Sequence, residues 1–179
     1  FVPVSTNGEG QAFFYRDETR GEAPYNGFLD AAALVASADG EAPDALFDFG
    51  PRPSSAVTTR GIGWRTPRRD IDWVWDHAAA RWLRFHRGAP LLDETGVQLA
   101  ADNVLVLYVD YRMSDADLQS PQAITTGSGD GWLLRDGTIT GVTWSRPFTA
   151  DRWSLADDDT GDRVNLRPGR TWVALARLG

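Results

Sequence analysis

Residues 16–26 read Arg-Asp-Glu-Thr-Arg-Gly-Glu-Ala-Pro-Tyr-Asn and place two arginines beside an aspartate. Arg16, Asp17 and Arg20 can form a charge-assisted network in which the carboxylate fixes one guanidinium and leaves the other free. A free arginine near a helix N-terminus would bind an anion, because its donors and the helix dipole both favour negative charge. The alternative is a surface ion-pair network that braces the turn, with each exposed pair contributing about 1 kcal/mol or less. The residue chemistry leaves both interpretations open.

The other residues that could do chemistry are interpreted mainly as structural. The acidic run at 157–162 could collect calcium, but its spacing does not fit an EF-hand loop, and a solvated hairpin tip is favoured. His77 and His86 have no recognisable metal spacing, although a triad assembled in space stays open. Gly-x-Gly at 61–63 and Gly-Ser-Gly at 127–129 lack the following helix that a phosphate cradle requires. We therefore expect neither a metal ion nor a cofactor.

Eight tryptophans fall mostly on predicted strands. Exposed on a sheet, their rings could stack on sugars, which would indicate carbohydrate binding. Burial is favoured for most of them, because tryptophan supplies a large apolar area to a β core. Trp73 and Trp75 share one face and fit either interpretation.

The composition excludes several kinds of protein. The chain has 179 residues, 42% of them hydrophobic, which is enough for a buried core. Its formal charge of −7, without a long basic stripe, argues against nucleic acid as a partner. There is no cysteine, so disulfides and thiolate metal sites are excluded. No apolar run of membrane-spanning length occurs, so we expect no membrane insertion by this segment.

The first region is predicted to contain a strand followed by a helix. Residues 11–18 have the composition of a strand. Apolar residues at helical spacing predict a helix over 27–38, with Asn26 as its N-cap and Gly40 as its end. A Pro-, Gly- and Ser-rich stretch follows, and it predicts a domain boundary near residues 50–58.

The remainder is predicted to be a mainly antiparallel β domain. Alternation predicts a hairpin over residues 71–87, and the nearly continuous apolar run NVLVLYVDYR predicts a central strand covered on both faces. Asp136-Gly137 predicts a type I′ turn that pairs Leu134 with Ile139. RWSLADDDTGDRVNL predicts a second hairpin, and TWVALARL predicts a closing strand.

Taken together, these elements predict an α+β fold class. Residues 1–55 would form a short strand-helix remnant of an α/β region together with a linker, and residues 56–179 would form the β-rich domain. Because the chain begins at Phe1-Val2-Pro3, we expect it to be a piece of a longer protein whose export signal or anchor lies upstream.

Several motifs resemble those of the YerB-like lipoprotein family, bacterial proteins of unknown function. RDETRGEAPYN resembles that family's motif Arg-Asp-x-x-Arg-x-x-Ala-Pro-His-Asn, with Tyr25 where the family usually has histidine. Later signatures match in order and at compatible spacing over nearly the whole chain. The matching positions there are Asp102, Asn103, Gly127, Gly129, Arg170 and Trp172.

The resemblance implies an N-terminal α/β region followed by a β-rich domain, and members that are exported or lipid-anchored. It assigns the candidate ligand-binding residues, which are Arg16, Asp17, Arg20, Tyr25 and Asn26. Because Tyr25 replaces the histidine, the resemblance does not imply a His-dependent mechanism there. The family's upstream motif is missing here, so the missing N-terminal part of the same protein is an expected partner.

We therefore expect an extracytoplasmic envelope protein, attached through an upstream segment, that binds an anionic ligand or a cell-wall glycan without catalysis. The site is expected at a cleft between the two regions. A cell-wall hydrolase or lyase that uses Asp17 with Arg16 and Arg20 is the first alternative. A structural partner in an envelope assembly is the second. The sequence does not decide whether the protein is an enzyme.

Overall fold

The chain forms two compact units, residues 1–44 and 45–179. A computed structural model describes residues 11–38, 44–65, 70–115 and 119–177. The predicted domain boundary between residues 55 and 56 stays a prediction.

A two-stranded ribbon and one short helix make up the described part of the first unit. A 3-10 turn at Gln11–Phe13 leads into β1, Phe14–Arg16, which pairs antiparallel with β2, Gly27–Leu29. The helix α1, Ala31–Ser37, follows at once. Asp30 is its N-cap, because the Asp30 carboxylate accepts a hydrogen bond from the Ala33 N–H at 2.9 Å.

The predicted start of this helix was wrong. Residues 27–29 pair with β1 as a strand, and this cross-strand pairing overrides their apolar spacing. Asn26 is therefore not the N-cap. Gly40, the predicted end of the helix, lies outside the described residues.

The described part of the second unit contains thirteen strands and no α-helix. They are β3 (Val57–Thr58), β4 (Gly61–Arg65), β5 (Asp70–Asp76), β6 (Arg81–His86), β7 (Ala89–Pro90), β8 (Ala100–Ala101), β9 (Asn103–Val109), β10 (Tyr111–Met113), β11 (Pro121–Ala123), β12 (Gly127–Arg135), β13 (Thr138–Arg146), β14 (Ser154–Asp157) and β15 (Thr171–Arg177).

The strands of the second unit form two main sheets. The large sheet has the order β14-β13-β12-β9-β15, with β3 added at β13. The hairpin sheet has the order β4-β5-β6-β7, with β8 added at β6. The strand pairs are antiparallel except β15, which runs parallel to β9. Strands β10 and β11 form a separate ribbon.

The large sheet is buried on both faces along β9. On one face, Val104 and Val106 pack with Trp73 and Trp82 of the hairpin sheet. On the other face, Leu105 and Leu107 belong to a second apolar cluster. That cluster also contains Val109, Leu133, Val142, Trp144, Leu155, Val164 and Leu166. The two clusters bury opposite faces of one sheet.

The α+β fold class was wrong, because the described residues contain one seven-residue helix and fifteen strands. The chain is mainly β. Most local predictions for the β domain are confirmed: β5 and β6 form the hairpin, β9 is the buried central strand, and Leu134 pairs with Ile139 across the Asp136-Gly137 turn.

The acidic run at 157–162 is a turn, as predicted. The Asp157 carboxylate accepts hydrogen bonds from the Ser55 hydroxyl and from the N–H groups of Asp159 and Thr160. Burial raises the pKa of Asp157, but these hydrogen bonds outweigh it and leave the pKa below its ordinary value. The described residues contain no group of three or more His, Cys, Asp or Glu placed to hold a metal ion.

The tight turn at Gly137 predicts a large cost for adding a methyl group. Gly137 has φ +71°, and a Cβ there would lie 2.8 Å from the Trp75 indole nitrogen. Gly137→Ala should lower the free energy of unfolding by roughly 2 kcal/mol or more, from backbone strain and overpacking together. Urea denaturation measures this.

Gly161 is a matched control, since its φ is +74° and a Cβ there would meet nothing within 4 Å. Gly161→Ala should cost only about 1 kcal/mol, from backbone strain alone. Equal losses in the two variants would contradict the contact with Trp75.

Candidate functional site

The predicted ligand-binding residues lie around the turn that joins β1 to β2. Arg16 is opposite Gly27 in the ribbon, and the Asp17 N–H donates to the Asn26 carbonyl at 3.0 Å. Arg16 Nη1 donates to Asn26 Oδ1 at 2.5 Å. Asn26 is only 3% exposed, whereas Arg16 is exposed. A buried amide therefore holds one nitrogen of a surface guanidinium.

Asp17 closes the start of this turn through Thr19. Asp17 Oδ1 accepts the Thr19 N–H at 2.9 Å and the Thr19 hydroxyl at 2.6 Å. The hydroxyl is the main cause that holds the pKa of Asp17 below its ordinary value, and the Thr19 N–H and the positive charge of Arg20 act in the same direction. Asp17 is thus ionised at neutral pH.

The same Asp-Glu-Thr sequence forms the same local structure at residues 93–95. Asp93 Oδ1 accepts the Thr95 N–H at 2.9 Å and the Thr95 hydroxyl at 2.7 Å, and the pKa of Asp93 is also lowered, chiefly by that hydroxyl. Position 93 belongs to none of the candidate sites. The hydrogen bonds of Asp17 are therefore those of an ordinary turn.

Arg20 and Tyr25 have different surroundings. The Arg20 guanidinium lies 4.0 Å from the centre of the Phe28 ring, a cation–π contact. Tyr25 is 87% exposed, and its N–H donates to the Glu22 carbonyl at 2.8 Å. Phe28 was assigned to the helix by the sequence and so was missed as a neighbour of Arg20.

The two histidines lie at opposite ends of the β5–β6 hairpin. His77 follows Asp76, which pairs with Arg81, and its ring contacts Trp75 edge-on at 6.3 Å. His86 pairs with Ile71 at the other end. This separation argues against a shared site for the two imidazoles.

A broad concavity of about 480 Å³ lies on the hairpin sheet. It is lined by glycines and apolar residues of β4 to β6, with Arg60 and Asp72 among the polar lining. Asp72 is paired with Arg65 at 2.9 Å. No sequence motif predicts this concavity, because the pairing of β4, β5 and β6 creates it. In the described part of the chain, no helix has the length and hydropathy of a membrane span.

Comparison with known proteins supports the family resemblance. Residues 62–173 match the family model "Protein of unknown function (DUF3048) C-terminal domain". The crystal structure of the YerB protein from Bacillus subtilis is similar in fold, with a TM-score of 0.65 at 18% sequence identity. That similarity covers 92% of this chain and 56% of the YerB chain. A search of curated proteins found no match. The turn at 16–26 lies outside the residues that the family model matches.

The hydrogen bonds of Asp17 predict a specific change in its pKa. Thr19→Val removes the hydroxyl donor, so the pKa of Asp17 should rise toward its ordinary value. Thr95→Val should raise the pKa of Asp93 for the same reason. Carboxyl carbon NMR titration of both variants measures the two values.

Each variant is the control for the other, since each substitution changes one turn and leaves the other turn unchanged. A pKa of Asp17 that stays low in Thr19→Val would show that the N–H of residue 19 and the charge of Arg20, rather than the hydroxyl, set it.

Proposed function

Since this chain belongs to the DUF3048 family of proteins of unknown function, we propose that it is a cell-envelope protein that binds an anionic ligand without catalysis. Arg16 is the proposed ligand-binding residue, with Asn26 as the residue that positions it. Envelope localisation is part of the proposal and comes from the family resemblance of the motifs.

The state of the Arg16 guanidinium is the observation that carries this proposal. Arginine has five N–H donors in a planar fork that suits phosphate and carboxylate groups. The recorded side-chain hydrogen bond of Arg16 engages Nη1, and within the described residues no carboxylate forms an ion pair with Arg16. An exposed, oriented guanidinium without an internal counter-ion is suited to an external anion.

The state of Asp17 favours binding over catalysis. A general acid must be protonated at its working pH, and its pKa must lie near that pH. The lowered pKa of Asp17 keeps the carboxylate ionised, and the hydrogen bonds from Thr19 occupy one of its oxygens. Asp17 is therefore poorly suited to be the acid of a hydrolase or lyase.

Anion binding predicts that Arg16 controls attachment to phosphate-rich cell wall. Purified bacterial cell wall is sedimented with the protein, before and after hydrofluoric acid removes the phosphate polymers. Arg16→Ala should weaken binding to untreated wall about tenfold or more, because a hydrogen bond to a charged group contributes about 1.5–3 kcal/mol. Arg16→Lys should bind with intermediate affinity, since it keeps the charge and loses the fork.

Arg52→Ala is the matched control, because Arg52 is also exposed and the substitution changes the net charge equally. Its binding should be unchanged. Equal losses of affinity in Arg16→Ala and Arg52→Ala would show that the binding depends on net charge and not on the position of Arg16. Release of soluble wall fragments that is lost in Asp17→Asn would contradict binding without catalysis.

A further inference from the structure

We propose that the face of the large sheet around Trp132 binds a neutral carbohydrate. We call this face the Trp132 surface, and it consists of Asp130, Trp132, Gly141, Thr143 and Asp158. It belongs to the second unit and uses none of the residues proposed for anion binding. Its ligand class is also different, so it goes beyond the function proposed above.

Trp132 is exposed in a way that the core does not explain. Of the eight tryptophans, Trp132 and Trp172 are exposed, at 38% and 37%. Trp172 is at the border of a core cluster, since its ring lies 5.4 Å from the Trp73 ring and 5.8 Å from the Arg84 guanidinium. In the described part of the chain, the structure records no aromatic or cationic partner for the Trp132 ring.

Small residues flank Trp132 and leave the ring accessible. Trp132 pairs across the strands with Gly141, which has no side chain to cover it. Residues two apart on a strand share a face, so Thr143 lies on the same face as Gly141. On the next strand, Ala156 pairs with Thr143. The ring thus stands beside a surface of short side chains, with the Asp158 carboxylate lying over Gly141.

Carboxylates at this surface supply acceptors for hydroxyl groups. Asp158 Oδ1 accepts the Thr143 hydroxyl at 2.9 Å, which fixes the carboxylate. Asp158 Oδ2 lies 2.8 Å from the point that a Cβ on Gly141 would occupy, so the carboxylate lies over Gly141, the cross-strand partner of Trp132. Asp130, exposed and two residues before Trp132, lies on the same face.

These groups select the chemical class of the ligand. A sugar ring offers an apolar C–H face to an indole ring and hydroxyl donors to carboxylates, as in sites that combine an aromatic wall with a few polar groups. Asp130 and Asp158 would repel a uronic acid or a phosphate. The Trp132 surface is thus suited to a neutral glycan.

NMR titration of the indole N–H signals tests this assignment. The probes are the β-1,4-linked hexamers of glucose and of N-acetylglucosamine, with hexagalacturonate as the anionic comparison. A neutral hexamer should shift the Trp132 signal saturably. Hexagalacturonate should bind with an affinity at least about tenfold lower.

Two variants remove different parts of the surface. Trp132→Ala should weaken binding of the neutral hexamer about tenfold or more. Gly141→Val keeps the ring but displaces the Asp158 carboxylate from its place over Gly141, and it should also weaken binding at least about tenfold. A Cβ there would lie 2.8 Å from Asp158 Oδ2, and the exposed Asp158 side chain can turn into solvent once its hydrogen bond with Thr143 is broken.

Phe148→Ala is the control, because Phe148 is an exposed aromatic residue that belongs to neither the Trp132 surface nor the anion-binding turn. It should leave glycan binding unchanged, just as Trp132→Ala should leave Arg16-dependent wall binding unchanged. The assignment is overturned if neither neutral hexamer shifts the Trp132 signal up to about 10 mM, a concentration that would detect even weak binding. Unchanged affinity in Trp132→Ala or in Gly141→Val, or reduced affinity in Phe148→Ala, also overturns it.

Discussion

The side chain of Asn103 organises the second unit. Its amide group is fully buried and forms two hydrogen bonds with the backbone of Arg167, in the turn before β15. Nδ2 donates to the Arg167 carbonyl at 2.8 Å, and Oδ1 accepts the Arg167 N–H at 2.9 Å. Asp102 Oδ2 accepts the Arg170 N–H at 2.8 Å beside it. A parallel strand cannot be added through a tight hairpin, so its register needs such a long-range tether. These hydrogen bonds hold the turn in place and set Thr171 opposite Asn103.

Adding β15 beside β9 has a consequence for where ligands can bind. It gives β9 a hydrogen-bonded neighbour on each side, and the apolar side chains of β9 point to both faces of the large sheet, so both faces require cover there. The hairpin sheet with Trp73 and Trp82 covers one face near β9. Farther along the same face, β12 and β13 carry polar or small residues and the exposed Trp132. The proposed Trp132 surface therefore lies outside the apolar cluster that packs against the hairpin sheet.

The elements that the sequence predicted correctly have local causes. The Asp136-Gly137 turn and the alternation of β5 are encoded within a few neighbouring residues. The parallel pairing of β15 depends on a partner 68 residues earlier in the chain, and the strand at Gly27–Leu29 depends on a partner across the turn from β1, so periodicity within either segment could not reveal them. At the candidate site, the motif brought attention to Arg16 and Asn26, which do form a hydrogen bond. The hydrogen bonds from Thr19 to the Asp17 carboxylate were not predicted, although Asp-x-Thr spacing is a signal for such turns.

Motif residues differ in what they reveal about function. Asn103 uses its amide donors and acceptor inside the fold, and a Cβ on Gly129 would lie 2.9 Å from the Trp144 indole nitrogen. Shared motifs at such positions indicate a structural role, because their hydrogen-bonding groups and contacts are used inside the fold. Arg16 retains donors that the fold does not use, and Trp132 retains an exposed ring. In a family whose function is unknown, residual binding capacity of this kind is a better guide to ligands than the presence of a motif.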